Sequence, residues 1–245
     1  MYSDDARSIP DVIQTGYSVD IGKYLGEGWE IFKKNIGGFV GFTVIVLLLS
    51  SLSVILPEKA RLLGNVASAV LAGPLNAGLF IVAFKLIKQR STTFSDFFLG
   101  FNNFLQFFIA NLLVSILVGI ASLFLRITSA SRINDPEVSI LAGIASLFLL
   151  LPGIYLGVAY SFTTTLIVDR KFGFWEAMET SRKVISKRWF PFFGFVLVLV
   201  LINIVGALLF FVGLLFTIPL TMCAIAAAYQ DILGLSATSM IEDAV

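Results

Sequence analysis

Histidine is absent from this chain, cysteine occurs once, and only 13% of the 245 residues are charged. Each shortage closes off a class of function. Without histidine, zinc and haem lose their commonest protein ligand and acid–base chemistry its commonest proton carrier. A single cysteine, Cys223, makes no intrachain disulfide and leaves the redox compartment open. A net charge of +1 supplies no global field to attract nucleic acid, so no nucleic-acid partner is expected. The sequence also lacks His-Glu-x-x-His, a Walker loop, Gly-x-Ser-x-Gly and Cys-x-x-Cys. No catalytic residue, metal site or cofactor is assigned, and the expectation is a protein that is not an enzyme.

Soluble domains carry roughly 25% charged residues. Half that, with 58% hydrophobic residues and a mean hydropathy of +0.94, leaves too little polar surface to coat a globule. A bilayer removes the difficulty, because lipid tails solvate apolar side chains. A spanning helix needs ~20 mostly apolar residues, and six runs qualify: 36–56, 62–87, 104–127, 138–168, 190–208 and 214–229. The last two come from one 40-residue apolar stretch, split at Gly206–Gly213 with no charge to mark the turn. The pattern predicts an all-α polytopic membrane protein with six transmembrane helices. Residues 20–235 form its single membrane domain, between a polar N-terminal tail (1–19) and a C-terminal tail (236–245). The first 35 residues lack the basic start and short apolar core of a secretory signal, so the first run is expected to remain a span.

Three amphipathic segments precede the first run of each pair. In the first, Ile21, Tyr24, Leu25, Trp29 and Phe32 share one face, Lys23, Glu27, Glu30, Lys33 and Lys34 the other, with Glu30–Lys34 as an i,i+4 pair. In the second, Phe94, Phe97, Phe98 and Phe101 form the apolar face, and Thr93 with Asp96 resembles a capping box. In the third, Phe174, Trp175, Met178 and Ile185 share a face. Glu176 and Glu179 come early there and Arg182, Lys183, Lys187 and Arg188 late, matching the helix dipole. Such helices lie in the headgroup plane or dock on the protein's own spans, and the two are compatible. Pro74, Pro152 and Pro219 each fall in the second run of a pair, followed by an aromatic (Phe84, Tyr160, Tyr229) and then polar residues. The series reads as a threefold repeat of surface helix, span and proline-bearing span.

Orientation follows from the cations. Of the 17 Lys and Arg, only Lys59, Arg61, Arg126 and Arg132 fall on one side of a six-span arrangement. The positive-inside rule places the richer side in the cytoplasm, together with both termini and all three amphipathic segments. Trp29, Trp175 and Trp189, with Lys33, Lys34, Arg182, Lys183, Lys187 and Arg188, are then expected to anchor the protein to anionic headgroups of the bilayer.

Polar residues within the runs are few. Asn76, Asn111 and Asn203, with Asn65, serve as hydrogen-bonding glue between helices or line a polar pathway. Small residues recur every four positions at Gly64, Ser68, Ala72 and Asn76, at Gly153, Gly157 and Ser161, and at Gly37 and Gly41, which lets helices approach closely. Lys85 and Arg126 lie near run ends, where a long side chain can snorkel to water. An accessory, scaffold or membrane-organising role fits this inventory, with other membrane proteins as partners. The alternative is a transporter or channel built around helices interrupted at Pro74, Pro152 and Pro219. A lipid-acting enzyme would need Glu27, Glu30, Asp96, Asp169, Glu176 and Glu179 to converge at the headgroup plane.

Five segments carry a family resemblance: 28–35 (GWEIFKKN), 94–101 (FSDFFLGF), 151–156 (LPGIYL), 174–182 (FWEAMETSR) and 228–234 (AYQDILG). In this order they resemble a group of poorly characterised bacterial six-span membrane proteins. The group includes the membrane domain that precedes some bacterial glycerophosphodiester phosphodiesterases. The resemblance implies a helical protein of the bacterial inner, or an internal, membrane without an assigned reaction. In the phosphodiesterase relatives the chemistry belongs to a separate soluble domain, so that activity is not expected here.

Overall fold

The computed structural model describes residues 6–113, 115, 116 and 151–236, and these contain helices and turns but no strand. The remainder of run three, the first part of run four, Arg126, Arg132 and the 237–245 tail lie outside the described residues. Helix α1 covers Ile9–Thr15, α2 Ile21–Lys33, α3 Ile36–Ile55 and α4 Arg61–Ile87. A 3-10 segment, Phe94–Asn103, leads into α5 (residues 104–113). After them come α6 (residues 151–159), α7 (Thr163–Arg170), α8 (Phe174–Ser186), α9 (Trp189–Leu208) and α10 (Leu214–Leu233). Among the described residues, four helical stretches are long and apolar enough to cross a membrane: Leu63–Ile87, Leu151–Arg170, Trp189–Leu208 and Leu214–Leu233. A fifth is added if α2 and the first part of α3 count as one span, although their axes turn through 94°.

That turn is written locally. Asp20 caps α2, its Oδ1 accepting the Lys23 N–H at 2.9 Å. Asn35 ends α2 and starts α3, its Oδ1 accepting the Gly38 N–H at 3.0 Å. Lys34 Nζ donates to the Leu86 carbonyl and Ser68 Oγ to the Leu49 carbonyl, so α3 and α4 run antiparallel. The Glu30–Lys34 pair does not form; Glu30 meets Lys33 instead, at 2.8 Å.

The surface helices pack around the molecule in a cycle. Helix α2 crosses α10, the 3-10 segment crosses α4, and α8 packs on α6–α7, so each covers the proline-bearing helix of the preceding unit. A small residue sits at every crossing. A Cβ added to Gly28 would stand 2.7 Å from Ala224 Cα. One added to Gly100 would stand 3.1 Å from both the Pro74 carbonyl carbon and Ala77 Cβ. At the third crossing Ser181, fully buried, donates to the Ala159 carbonyl (2.7 Å) and accepts the Phe162 N–H (3.1 Å).

These crossings correct the expected helix faces. The buried face of α2 is Tyr24, Gly28, Ile31 and Phe32, while Trp29 is 45% exposed. That of α8 is Ala177, Met178, Ser181, Val184 and Ile185, while Trp175 is 68% exposed. On these two faces, neighbouring backbone comes close enough to demand a small side chain only at Gly28 and Ser181; Tyr24, Ile31 and Phe32 pack beside Gly28, while Trp29 and Trp175 turn to the flank. The second surface element is a ten-residue 3-10 helix, unusually long for that geometry. Its backbone lies directly on α4: a Cβ on Gly78 would meet the Phe97 carbonyl far inside contact distance.

Two of the prolines do not interrupt their helices: α4 continues through Pro74 and α10 through Pro219. Pro152 is helical at the start of the described part of its run. The break comes at residues 160–162, where the Ser181 hydroxyl inserts between the Ala159 carbonyl and the Phe162 N–H. The repeating aromatic is correspondingly Phe162, not Tyr160. Phe84, Phe162 and Tyr229 each follow their proline by ten residues, and all three are fully buried. The Tyr229 ring meets both Phe84 and Phe162 at 5.5 Å between centroids, closing the centre of the cycle.

Candidate functional site

The proline-bearing helices end in a shared polar knot. Asp169, at the end of α7, is fully buried. Its Oδ2 accepts the Tyr229 hydroxyl at 2.8 Å and Arg170 Nε at 3.2 Å, and its Oδ1 accepts the Ser236 N–H at 2.9 Å. Lys88, just past α4, donates to the Ser236 carbonyl at 2.6 Å. Arg170 Nη2 reaches the carbonyls of Leu233 and Arg7, and the Arg7 N–H also donates to Leu233. Gly234, with φ of +67°, makes the turn that brings Ser236 back to Asp169. The knot joins the ends of α4, α7 and α10 to the N-terminal segment. Arg170 and Ser181 carry structural roles that the sequence pattern did not single out.

A second tie fixes α2. Lys23 pairs with Asp231 of α10, and the buried Tyr24 hydroxyl lies 3.1 Å from the other Asp231 oxygen. The hydrogen bond to Asp231 raises the Lys23 pKa, and burial raises that of Tyr24. A third tie is Lys85–Asp96 at 2.8 Å, with both residues buried. Lys85 therefore does not snorkel; it is 6% exposed and neutralised within the fold. The other Asp96 oxygen accepts the Thr93 N–H at 2.8 Å, the carboxylate half of the expected capping box.

The carboxylates do not converge. Asp96 is held by Lys85, Asp169 by Tyr229 and Arg170, Glu30 by Lys33, and Glu179 by Arg182 and Lys183. The Arg182 hydrogen bonds hold Glu179 down at about 2. Among the described residues no group of three His, Cys, Asp or Glu is placed to hold a metal ion.

The expected anchors divide. Trp29, Lys33, Trp175, Lys183, Lys187 and Arg188 are exposed. Lys34 is exposed but tied to Leu86, and Arg182 is half-buried against Glu179. Trp189 is half-buried and stacks on Phe193 at 5.0 Å, its indole N–H buried without a partner. Of the intramembrane amides, Asn111 Nδ2 donates to the Ala69 carbonyl (3.4 Å), which joins α5 to α4. Asn203 Nδ2 donates to the Leu199 carbonyl and to Thr221 Oγ1 (2.7 Å), which joins α9 to α10. Asn76 is half-buried on α4. Of the small-residue stripes, Ser68 meets α3 through the Leu49 carbonyl, whereas Gly37 and Gly157 face open space; Gly28, Gly73, Gly78 and Gly100 make further close approaches to a neighbouring element.

No family model, no curated protein and no solved structure matches this chain.

Proposed function

We propose that this chain is a non-enzymatic integral membrane protein acting as a scaffold or organising subunit. It crosses a bacterial inner, or internal, membrane six times with both termini in the cytoplasm. Kinship with the six-span bacterial families named above is part of the same proposal. One observation carries the reading: the space where the proline-bearing helices converge is filled, by the Phe84, Phe162 and Tyr229 rings. Gly100 seated on Pro74 adds to this, because it leaves no route along α4 there. Asn111 donates to α4, and Asn203 donates to Thr221 of α10 as well as to its own helix at Leu199, cross-links of the kind that glue helices together.

The exposed face belongs to lipid in this reading. Only 22% of the apolar window of α9 is buried, against 78% for α4. Leu197, Val200, Leu201, Ile204 and Val205 face outward along α9. The polar knot, the α2 tie and the cations of α8 share the opposite, charged end, which supports a cytoplasmic headgroup interface. Trp29 and Trp175 flank their helices at that level.

The test is solubilisation in mild detergent, affinity capture and reconstitution of the purified chain in liposomes. A stoichiometric membrane partner together with solute-tight liposomes is the expected result. Liposomes made permeable to ions or small solutes by the purified protein alone would overturn the scaffold reading.

A further inference from the structure

We propose that Arg188 and the turn preceding α2 form a specific site for the phosphodiester of an anionic phospholipid; the inference rests on the membrane reading above. The turn at 15–19, Arg188 and Pro191 enclose an open pocket of about 350 Å³. Gly16, with φ of +73°, bends the turn beneath the guanidinium, and a Cβ there would lie 3.9 Å from Arg188 Nε.

The donors in this pocket are unspent. Arg188 makes no side-chain hydrogen bond or ion pair among the described residues, unlike Arg170 and Arg182. The backbone N–H groups of Tyr17, Ser18 and Val19 donate to nothing in the described part of the fold, and neither does the Ser18 hydroxyl. The Tyr17 and Thr15 hydroxyls are committed, to the Val184 and Asp11 carbonyls. Among the described residues no carboxylate lines the pocket itself. Asp20 accepts the Lys23 N–H, and Asp231 takes Lys23 and Tyr24. What remains is a guanidinium fork and a run of free backbone N–H groups on residues lining one pocket, a donor set that matches a tetrahedral monoanion.

The surroundings select a lipid as the source of that phosphate. Arg188 is the last residue before α9, and Phe190 beside it is 79% exposed. From there the outward apolar face of α9 continues through Leu197, Val200, Leu201 and Ile204. A headgroup held at Arg188 therefore has an apolar track for its acyl chains. The pocket also has room for the glycerol attached to the phosphate. Among the described residues the pocket lining holds no carboxylate to take a choline cation, which favours an anionic headgroup over a zwitterionic one.

Native mass spectrometry of the detergent-solubilised chain tests this with phosphatidylglycerol, phosphatidylcholine and soluble glycerol phosphate as probes. Phosphatidylglycerol should bind about tenfold or more tightly than either of the others. Arg188→Gln should weaken it about tenfold, the loss expected when charge-assisted hydrogen bonds go. Lys187→Gln removes the same charge one residue away, outside the pocket, and should change binding less than about twofold. Ser18→Asp, which keeps Arg188 but puts a carboxylate in the pocket, should match Arg188→Gln and guards against a folding defect. Equal losses from Lys187→Gln and Arg188→Gln would overturn the proposal in favour of diffuse surface charge. Glycerol phosphate binding as tightly as lipid would overturn the lipid assignment. A chain that inserts into neutral vesicles yet shows no phosphatidylglycerol preference fails this proposal alone, whereas failure to insert refutes the membrane reading itself.

Discussion

Replacing Gly78 with alanine adds one methyl group where α4 and the 3-10 segment leave no space for it. The new Cβ would stand 2.7 Å from the Phe97 carbonyl carbon and closer still to its oxygen. Carbon atoms settle at about 3.5–4.0 Å, so the two backbones must separate by roughly 1 Å. The obstacle is backbone, which cannot swing aside as a side chain can. Phe97 is fully buried and packs against Phe39 and Phe42, so the shift is felt through that aromatic cluster as well. Overpacking of this kind costs typically 1–3 kcal/mol, occasionally more. The better helix propensity of alanine returns up to ~1 kcal/mol. Because the clash is with backbone, the upper end of that range applies, and the net expectation is a loss of about 2 kcal/mol.

Gly26 supplies the opposite sign. It lies in the middle of α2 with nothing within 4 Å of an added Cβ. Gly26→Ala should gain up to ~1 kcal/mol from propensity alone. Thermal unfolding in one detergent, followed by loss of the monodisperse elution peak, reads both. At about 2–4 °C per kcal/mol for a chain of this size, Gly78→Ala should melt several degrees below the parent and Gly26→Ala a few degrees above it. A Gly78→Ala protein as stable as its parent would mean that the 3-10 segment is not seated on α4, and the packing cycle would lose one of its three contacts.

Lys85→Met should cost about 3–5 kcal/mol, because it strands the buried Asp96 charge, and adding Asp96→Asn should recover most of the loss; a double variant no better than the single one would refute the pairing. Ser181→Ala removes both partners at the 160–162 break and should cost about 1–3 kcal/mol, with faster amide exchange at Phe162; unchanged exchange there would show that the hydroxyl does not hold the break. Phe210, at the α9–α10 turn, is 92% exposed with a left-handed φ of 53°, so Phe210→Gly should stabilise by about 1–2 kcal/mol, and a lower melting temperature would show that the ring is held by more than the chain. Glu179 has its pKa depressed from 4.5 to about 2 by Arg182, so its contribution to α8 is complete above pH 4.5 and lost as pH falls through 2. The melting temperatures of the parent and Glu179→Gln should converge below pH 2 and separate above pH 4.5; a difference that persists unchanged below pH 2 would contradict the pairing.

Among the described residues, apolar length marked four helices able to cross a membrane, or five with the bent α2–α3 pair. The turn between α9 and α10 lies between Leu208 and Leu214, in a stretch with no charge, where two glycines alone suggested it. Faces were legible less well. The sequence pattern grouped Trp29 and Trp175 with the apolar faces of their helices, and an apolar face has two possible destinations when lipid and protein are both apolar. What separates them is backbone proximity, which reads as Gly28, Gly100 and Ser181 rather than as hydrophobicity. The prolines misled for a related reason. The transport alternative expected helices interrupted at their prolines, but α4 and α10 absorb theirs within a packed interior, and the break at 160–162 follows a serine from another helix. The ion pairs Lys23–Asp231 and Lys85–Asp96 join residues separated by 208 and 11 positions, and helical spacing alone pairs neither.

The cycle also explains why no single unit can be self-sufficient. Each surface helix buries its face against the proline-bearing helix of another unit, so a lone unit leaves one face of each exposed. Two of the crossings carry an ion pair at matching places with the polarity reversed. Lys23 and Asp96 each precede the buried aromatic of their surface helix, Tyr24 and Phe97, and find Asp231 and Lys85 beyond the proline of the other. The reversal makes the crossings selective, since Lys23 against Lys85 would place like charges together. The third crossing is neutral and uses Ser181. Helix α2 precedes its partner α10 by about two hundred residues, so Tyr24, Gly28, Ile31 and Phe32 have no inner surface to meet until α10 is in place. Closure of the cycle is therefore a long-range event, separated by about two hundred residues from the start of the fold, and contacts of that separation form late because loop entropy opposes them until neighbouring structure exists.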